Sequence, residues 1–439
     1  MHSLSLREAS NMILQPVLPL IGYLVKICSF LNFTPIYWDK ENNWLEIRRG
    51  WIPRQRKYVY FTSRLGCYAF GAFILINYTF YWRKPSILTL TEEIISGTFT
   101  FTYVMLSLFN LFLDFRSREM IQLMKCFVQV EKTFKGGEES NFVNYTILIS
   151  LLVKFNLRFA EINTNEKFIV NIIRIILSWL LVILPITTIA NWVLFAIMPC
   201  HPPFLGSIHL DRISGRCLLS ENLTARKVSF IAITATFQAS MWYILVTSAG
   251  FTIVSTFLIC VICLYLFQCR LLNMKRRENT GASSIPTRGY VLIKRYLILT
   301  MLEIRFNDIF ASIFLPLILS MITLVNIIFT VLLILLKSVV LSNPGLIVIP
   351  INIVNGYTCY IGITTTAGKV NHISGKCINQ LARLSTNAGH FTKRRRALRQ
   401  IRIRFAQNFI DIKTPLVMMS FCIVQIANVL ILVRNKRPL

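Results

Sequence analysis

Acidic residues are scarce in this chain of 439 residues, and charged residues of either sign are few. There are 19 Asp and Glu against 47 Lys and Arg, so charged residues make up 15% of the sequence and the formal net charge is +28. A soluble domain needs more charge than this to cover its surface. The composition therefore excludes an ordinary soluble domain, and the positive excess needs an explanation other than a solvated basic face.

Sequence signatures of catalytic and metal sites are also missing. There is no glycine-rich phosphate loop with its lysine, no metalloprotease histidine pair and no Gly-x-Ser-x-Gly turn. The five histidines do not cluster at ligand spacing. Cys260 and Cys263 resemble half of a zinc site, but they lie in an apolar stretch with no second half. We therefore expect no enzyme activity, no metal and no cofactor.

Long apolar runs are what the sequence has in abundance. Hydrophobic residues make up 54% of the chain, and the mean hydropathy is +0.58. About 20 apolar residues cross a bilayer core as a helix, and hydrocarbon offers no partner to an unpaired backbone group. The sequence therefore predicts an all-α polytopic membrane protein with seven transmembrane helices. The predicted spans are residues 60–82, 92–114, 168–198, 228–268, 308–336, 344–367 and 414–433.

Lysine and arginine crowd onto alternate segments between these spans. One set of segments contains 34 of them and the other set contains 9. By the positive-inside rule, the first set is cytosolic, which places the amino terminus in the cytosol and the carboxyl terminus outside. This topology accounts for the net charge without a nucleic-acid partner, which would need a soluble basic domain. The inner segments are 1–59, 115–167, 269–307 and 368–412, and the outer ones are 83–91, 199–227, 338–343 and 434–439.

The chain divides into four predicted regions. Residues 1–59 form a cytosolic segment whose apolar part packs on the helices or on the membrane surface, with a re-entrant span as the alternative. Residues 60–367 contain six helices with long inner extensions. The fourth span is about twice as long as a bilayer core requires, so it either bends near Gly250 or runs beyond the membrane. Residues 368–412 form a cytosolic anchor, and residues 413–439 form a last helix with a short outer tail.

The predicted anchor has an amphipathic pattern. Residues 376–405 place apolar side chains at helix-face intervals, which predicts a helix through this region. The basic run at 393–396 has two interpretations. It binds acidic lipid headgroups, or it is a solvated helix face that holds the orientation of the last span. The helix-face residues are Ile378, Leu381, Leu384, Leu398, Ile401 and Phe405.

The predicted outer loop 199–227 has extracellular features. It contains Cys200 and Cys217, for which a disulfide is one possibility and two free thiols are the other. It also contains Asn222 in a glycosylation acceptor sequence, which agrees with the topology.

In order and length of its segments, the chain resembles the insect gustatory and odorant receptor superfamily, and the gustatory family most. The resemblance covers the apolar lead LQPVLPLIGYLVKICSFLNFTPIYWD, the seven spans, the motif Arg305–Asp308 near the inner end of the fifth helix, and the long stretch before a short last span. The family motif of the last span, Thr-Tyr, five hydrophobic residues and Gln, is degenerate. Two registers are open. In one, Ser420 and Phe421 stand for Thr-Tyr and Gln425 falls two residues early; in the other, which we prefer, Ala427 and Asn428 precede five apolar residues and Arg434 stands at the Gln position.

The resemblance implies a chemosensory, ligand-gated cation channel, homo- or heterotetrameric, in the plasma membrane of sensory neurons and opened by a small-molecule tastant. It implies a pore lined by the last helices, with Ile431 near a hydrophobic gate. A ring of Arg434 beside a cation path would favour anions, so ion selectivity stays open. The implied pore residues are Gln425, Asn428, Ile431, Arg434 and Asn435.

The resemblance further implies a ligand pocket in the outer half of each subunit. Amides there would hold hydroxyl groups and aromatic rings would form flat walls, although each of these residues could equally satisfy a neighbouring helix. Gln238 and Trp242 share one helix face, as do Asn352 and Asn355. The candidates are Thr98, Phe101, Asn191, Trp192, Gln238, Trp242, Asn326, Asn352 and Asn355.

Two other classes of membrane protein fit the sequence less well. A G-protein-coupled receptor needs an external amino terminus, and it would have Asp-Arg-Tyr after the third span and Asn-Pro-x-x-Tyr in the seventh. A secondary transporter would show an internal repeat, and none is evident in the sequence. The small number of carboxylates in the predicted spans also argues against a transporter. The ligand itself cannot be read from the sequence.

Overall fold

The structure is a computed structural model, and its description covers most of the helical part of the chain. The described residues are 36–39, 44–47, 54–82, 90–135, 185–198, 224–246, 252–278, 285–335, 344–383 and 397–436, with isolated positions 182, 204, 205, 207 and 393. The statements below refer to these residues.

The described part of the chain is almost entirely helical, as the sequence predicts. A small antiparallel pair of strands precedes the first helix, and a second pair precedes the last. The elements are β1 (Ile36–Asp39), β2 (Trp44–Ile47), α1 (Arg54–Trp82), α2 (Leu90–Lys135), α3 (Pro185–Ile197), α4 (Ala225–Leu245), α5 (Thr252–Glu278), α6 (Ile285–Phe310), α7 (Phe314–Leu335), a 3₁₀ turn (Pro344–Ile347), α8 (Val348–Arg383), β3 (Arg404–Phe405), β4 (Asn408–Phe409) and α9 (Thr414–Lys436).

Prolines mark the first turns of five of these helices, at Pro185, Pro286, Pro316, Pro350 and Pro415. A proline fits there because the first backbone N–H groups of a helix have no intrahelical acceptor. In the fifth predicted span the same residue type also breaks the helix. Pro316 cannot donate to the carbonyl one turn earlier, and residues 311–313 form a turn between α6 and α7.

Four helices of the described part are long and apolar enough to cross a membrane. They coincide with the second predicted span, the first part of the fourth, the fifth and the last. The fourth predicted span is divided, since α4 ends at Leu245 and α5 begins at Thr252, on either side of Gly250. The chain is thus a membrane protein. The count of seven spans and the cytosolic amino terminus stay predictions.

The helices pack around a core rich in phenylalanine. α8 packs against α7 and α5, α1 packs against α2, and α9 packs against α7 and α8. At the break between α6 and α7, the rings of Phe257, Phe306, Phe310 and Phe314 form a chain of contacts with centroid distances of 5.0–6.2 Å. This cluster joins the start of α5 and the end of α6 to the start of α7.

The region predicted as one helix over 376–405 has two different structures. α8 ends at Arg383, whereas residues 398–403 are extended and lead into the β3–β4 hairpin. The helical prediction from Leu398 onward is therefore wrong. Ile401 and Ile403 are fully buried and the residues between and after them are not, so this segment follows the two-residue period of a strand.

Candidate functional site

Six buried aromatic residues form one cluster in the half of the helices predicted to face outward. Tyr103 packs edge-on against Trp242 at 5.3 Å and against Phe70 at 5.5 Å. Phe99 lies 6.3 Å from Trp242 and joins it to two further rings. α1, α2, α3 and α4 thus meet at this aromatic cluster, whose members are Phe70, Phe99, Tyr103, Phe195, Phe204 and Trp242.

Two polar atoms inside the aromatic cluster have no hydrogen-bond partner in the described part of the chain. They are the Tyr103 hydroxyl and Trp242 Nε1, on neighbouring rings. Tyr103 is fully buried and Trp242 is 6% exposed. A buried polar group without a partner costs free energy, and native structures rarely contain one without a bound molecule or a functional reason. The pair can therefore donate hydrogen bonds to an acceptor atom of a bound molecule.

Of the predicted pocket residues, Trp242 is a member of this cluster, and five others lie on the helices that form it. Gln238 and Trp242 are both buried on one face of α4, as predicted. Thr98 is buried, but its hydroxyl donates to the Ile94 carbonyl at 2.7 Å within α2. Phe101 is half-buried. Trp192 is 40% exposed and donates from Nε1 to Thr236 Oγ1 at 3.1 Å, which links α3 to α4.

Asn191 sits one turn before Phe195 on α3. Its side-chain amide donates to the Thr187 carbonyl at 2.9 Å, while its Oδ1 has no partner in the described residues. The Asn191 NH₂ group therefore pairs within α3, and Oδ1 is available to accept a hydrogen bond from a bound molecule.

The remaining pocket candidates belong to a second place, where α7 packs on α8. Asn326 is buried against Gly356, and a β-carbon added to that glycine would overlap the Asn326 side-chain amide. Asn352 and Asn355 are half-buried on α8, in the turn before Gly356. The nine candidates thus lie on two groups of helices, α2 to α4 and α7 with α8, and their role as one ligand pocket stays a prediction.

The predicted pore residues lie on the most exposed helix of the described chain. Only 11% of the most apolar window of α9 is buried, against 50% for α7. Ile431 is 58% exposed, Asn428 and Arg434 are exposed and Gln425 is half-buried. Asn435 lies in the last turn of α9, and its side chain is outside the described part. The positions of Cys200 and Cys217 also lie outside the described residues, so their pairing stays open.

An ion pair that the sequence did not reveal joins α1 to α2. Arg64 lies 3.3 Å from Asp114 and also donates to Asn110 Oδ1, while the Tyr68 hydroxyl donates to Asp114 at 2.7 Å. The Arg64 side chain is 5% exposed. Charged groups buried in a helical membrane protein pair with one another in this way, since isolated charges are costly there.

A network of hydrogen bonds holds the segment before α9 against α6. The Asn307 amide donates to the Arg402 carbonyl at 2.9 Å and accepts from the Arg404 backbone N–H at 3.0 Å. Arg399 donates to Glu303 at 2.8 Å. Burial raises the pKa of Glu303 above its usual range, and Arg399 offsets this only in part. The amide of Asn307 thus pairs with the extended chain as a neighbouring strand would.

Two residues of α6 and α8 complete this network. The Tyr296 hydroxyl donates to the Arg399 carbonyl at 2.9 Å and shares a 2.8 Å hydrogen bond with Ser374. Ser374 in turn accepts from the Ile401 backbone N–H at 2.7 Å. Burial raises the pKa of Tyr296 to about 12, so the hydroxyl stays protonated at neutral pH. The later part of the predicted anchor, residues 399–404, is therefore fastened to both α6 and α8.

Comparison with solved structures gives a clear likeness over the full length. The chain superposes on the insect olfactory receptor OR5 from Machilis hrabei in complex with eugenol, with a TM-score of 0.60 and 12% identity, over 95% of this chain and 98% of that one. A second structure of the insect olfactory receptor OR5 from Machilis hrabei gives a TM-score of 0.54 and 10% identity over the same shares of the two chains. This chain has the fold of the insect olfactory receptors.

These fold neighbours are receptors and not enzymes, in agreement with the sequence prediction. No family model matches the chain, and a search of curated proteins finds no match. At 12% identity, the likeness establishes the fold alone.

Sequence reasoning missed most of the aromatic cluster that this fold assembles. One signal was present, because Phe99 and Tyr103 are four residues apart on α2, as Gln238 and Trp242 are on α4. Phe204 could not have been found this way, because it lies in the predicted outer loop rather than in a span.

Proposed function

We propose that this protein is a chemosensory receptor of the insect gustatory and odorant receptor superfamily. It acts as a ligand-gated cation channel, assembled as a tetramer and opened by a small-molecule tastant at the surface of sensory neurons. The observation that carries the proposal is the match of the olfactory receptor fold over 95% of the chain.

The surface of α9 supports a channel assembled from several subunits. Its outward side chains include Val417, Ile423, Val424, Ile431 and Leu432, each at least half exposed. A helix whose apolar side chains point all round is covered by lipid or by other protein chains. Four copies of α9 around a central axis would cover one face of each helix and leave a path between them, with Ile431 as a hydrophobic constriction.

The aromatic cluster is the proposed ligand site. Its rings offer flat apolar walls, and the unpartnered Tyr103 hydroxyl and Trp242 Nε1 offer hydrogen-bond donors. A site of this composition fits a small apolar molecule that carries at least one acceptor oxygen. The olfactory receptor with this fold was solved with eugenol, a small molecule, which supports a ligand of that size here.

Current recording from cells that express this chain alone tests the channel. We expect small apolar compounds with an acceptor oxygen, taken from a tastant panel, to evoke cation current. We expect Ile431→Ala to raise the current without ligand because it widens a hydrophobic constriction. Ile423→Ala is the matched control, since Ile423 is 63% exposed and Ile431 is 58% exposed on the same helix.

Three outcomes would contradict the proposal. Ligand-evoked signalling without current would indicate a G-protein-coupled receptor, and substrate uptake without current would indicate a transporter. An amino-terminal tag that antibodies reach on intact cells would contradict the predicted topology.

A further inference from the structure

One member of the aromatic cluster does not belong to a helix. Phe204 comes from the segment between α3 and α4, yet it is only 2% exposed. Its ring lies 4.6 Å from Phe195 and 5.3 Å from Phe99. A side chain of the predicted outer loop therefore occupies the outer side of the proposed ligand site.

Hydrogen bonds hold this ring in place from behind. The Ser207 backbone N–H and hydroxyl donate to the Phe204 carbonyl at 3.0 Å and 2.6 Å, which closes a tight turn. The Asn77 amide of α1 donates to Ser207 Oγ at 2.7 Å. The hydrogen bond from Asn77 thus ties this turn to α1.

The contacts of Phe204 are those that a planar aromatic ligand would make. Both neighbours meet it edge to face, with interplanar angles of 63° and 76°. Aromatic pairs prefer this geometry, and each contributes beyond its buried area. A flat ring that entered the site would gain the same two contacts only by replacing Phe204.

We propose that Phe204 is a specificity-determining residue that occupies the ligand position, so that the site selects compounds whose planar aromatic ring can replace it. This inference rests on the proposed ligand site. A saturated ring of the same size is thicker and cannot make the two edge-to-face contacts. The receptor therefore responds to a planar aromatic ketone and much less to its saturated counterpart.

The test compares acetophenone with cyclohexyl methyl ketone, which differ only in the ring. We expect wild-type protein to respond to acetophenone at a concentration at least about tenfold lower, a factor that corresponds to 1.4 kcal/mol. Phe204→Ala removes the internal competitor and is expected to lower the acetophenone concentration for half-maximal response at least fivefold. Leu205→Ala, in the same turn, is the control and leaves it unchanged. An unchanged or higher value in Phe204→Ala, with normal surface expression, would overturn the proposal.

A second measurement covers the case in which Phe204→Ala does not reach the cell surface or no current is evoked at all. In purified full-length Leu205→Cys, which keeps Phe204, the introduced thiol is expected to react with a maleimide several times faster when acetophenone displaces the Phe204 turn. Unmutated protein gives the background from native cysteines. Equal rates with and without acetophenone would overturn the role of Phe204. Faster labelling without any current would retain that role and contradict only the channel.

Discussion

Arg64 on α1 and Asp114 on α2 form an ion pair across 3.3 Å, with 5% of the arginine side chain exposed against 26% of the aspartate side chain. The pair is shared with Tyr68, whose hydroxyl donates to the second oxygen of the carboxylate. Because both helices leave the first two predicted spans at this level, the pair fixes how α1 and α2 lie against each other.

Arg64→Ala is expected to destabilise the protein strongly. It leaves the Asp114 carboxylate without its cation, and breaking a buried pair on one side costs about 3–5 kcal/mol. Thermal unfolding in detergent would show a lower midpoint, and surface expression would fall. Arg116→Ala is the control, since Arg116 pairs with Glu119 at the surface and such pairs contribute about 0–1 kcal/mol. If the double variant Arg64→Leu, Asp114→Leu were no more stable than Arg64→Ala, the unpaired Asp114 carboxylate would not be the cause of the lost stability.

Glu303→Gln is expected to change how stability depends on pH. Burial raises the pKa of Glu303 from its ordinary value of 4.5, so the folded protein holds this proton more tightly than the unfolded chain does. The stability that this carboxyl contributes is fully present below about pH 4.5 and is lost as pH rises through the raised pKa. The unfolding temperature of wild-type protein, compared with that of Glu303→Gln, should therefore fall as pH rises from about 4.5 to neutral. Glu119→Gln, which alters a half-exposed carboxylate, should follow wild type, and parallel curves for Glu303→Gln would refute the expectation.

Gly356→Ala is expected to force α7 away from α8. The new β-carbon would overlap the Asn326 side-chain amide, and overpacking of this kind costs about 1–3 kcal/mol. Combining it with Asn326→Ala should restore most of the loss, because the obstructing atoms are then removed. Gly66→Ala is the matched control, since its β-carbon meets only Met241 at an ordinary 3.9 Å. The measurement compares the unfolding midpoints of wild type, Gly356→Ala, the double variant and Gly66→Ala. A double variant no more stable than Gly356→Ala would contradict the proposed overlap with Asn326.

Gly368→Ala is expected to disturb the entry to the last helix. A β-carbon at Gly368 would lie 2.7 Å from the backbone carbonyl of Asp411, which no side-chain change can remove. Since α9 begins at Thr414, we expect altered ligand-gated current in addition to lower stability. Gly375→Ala should be mild, because its nearest neighbour is the movable Gln400 side chain at 3.1 Å. Normal current in Gly368→Ala would argue against this contact as part of the gating path.

In the predicted anchor region, apolar spacing predicts the first part of the structure correctly and the second part wrongly. The spacing of Ile378 and Leu381 correctly predicts a helical face, because α8 continues to Arg383. The same reasoning fails from Leu398, where the sequence Ile-Arg-Ile-Arg alternates with a period of two. The alternation is too short to outweigh the helical pattern before it, and it is the side chain of Asn307 that fixes the extended chain.

The sequence by itself determined the all-helical membrane class and the weak points of the helices. Apolar length and the lack of charge leave no other class, and proline and glycine positions mark where helices begin or divide. Tertiary structure alone decided which residues meet. The cluster of Tyr103, Trp242 and Phe204 joins residues far apart in the chain, as does the contact between Arg64 and Asp114. An amide or aromatic ring in an apolar helix has the same local sequence pattern whether it bonds to a neighbouring helix or lines a ligand site. Only the packing of the helices distinguishes these two roles.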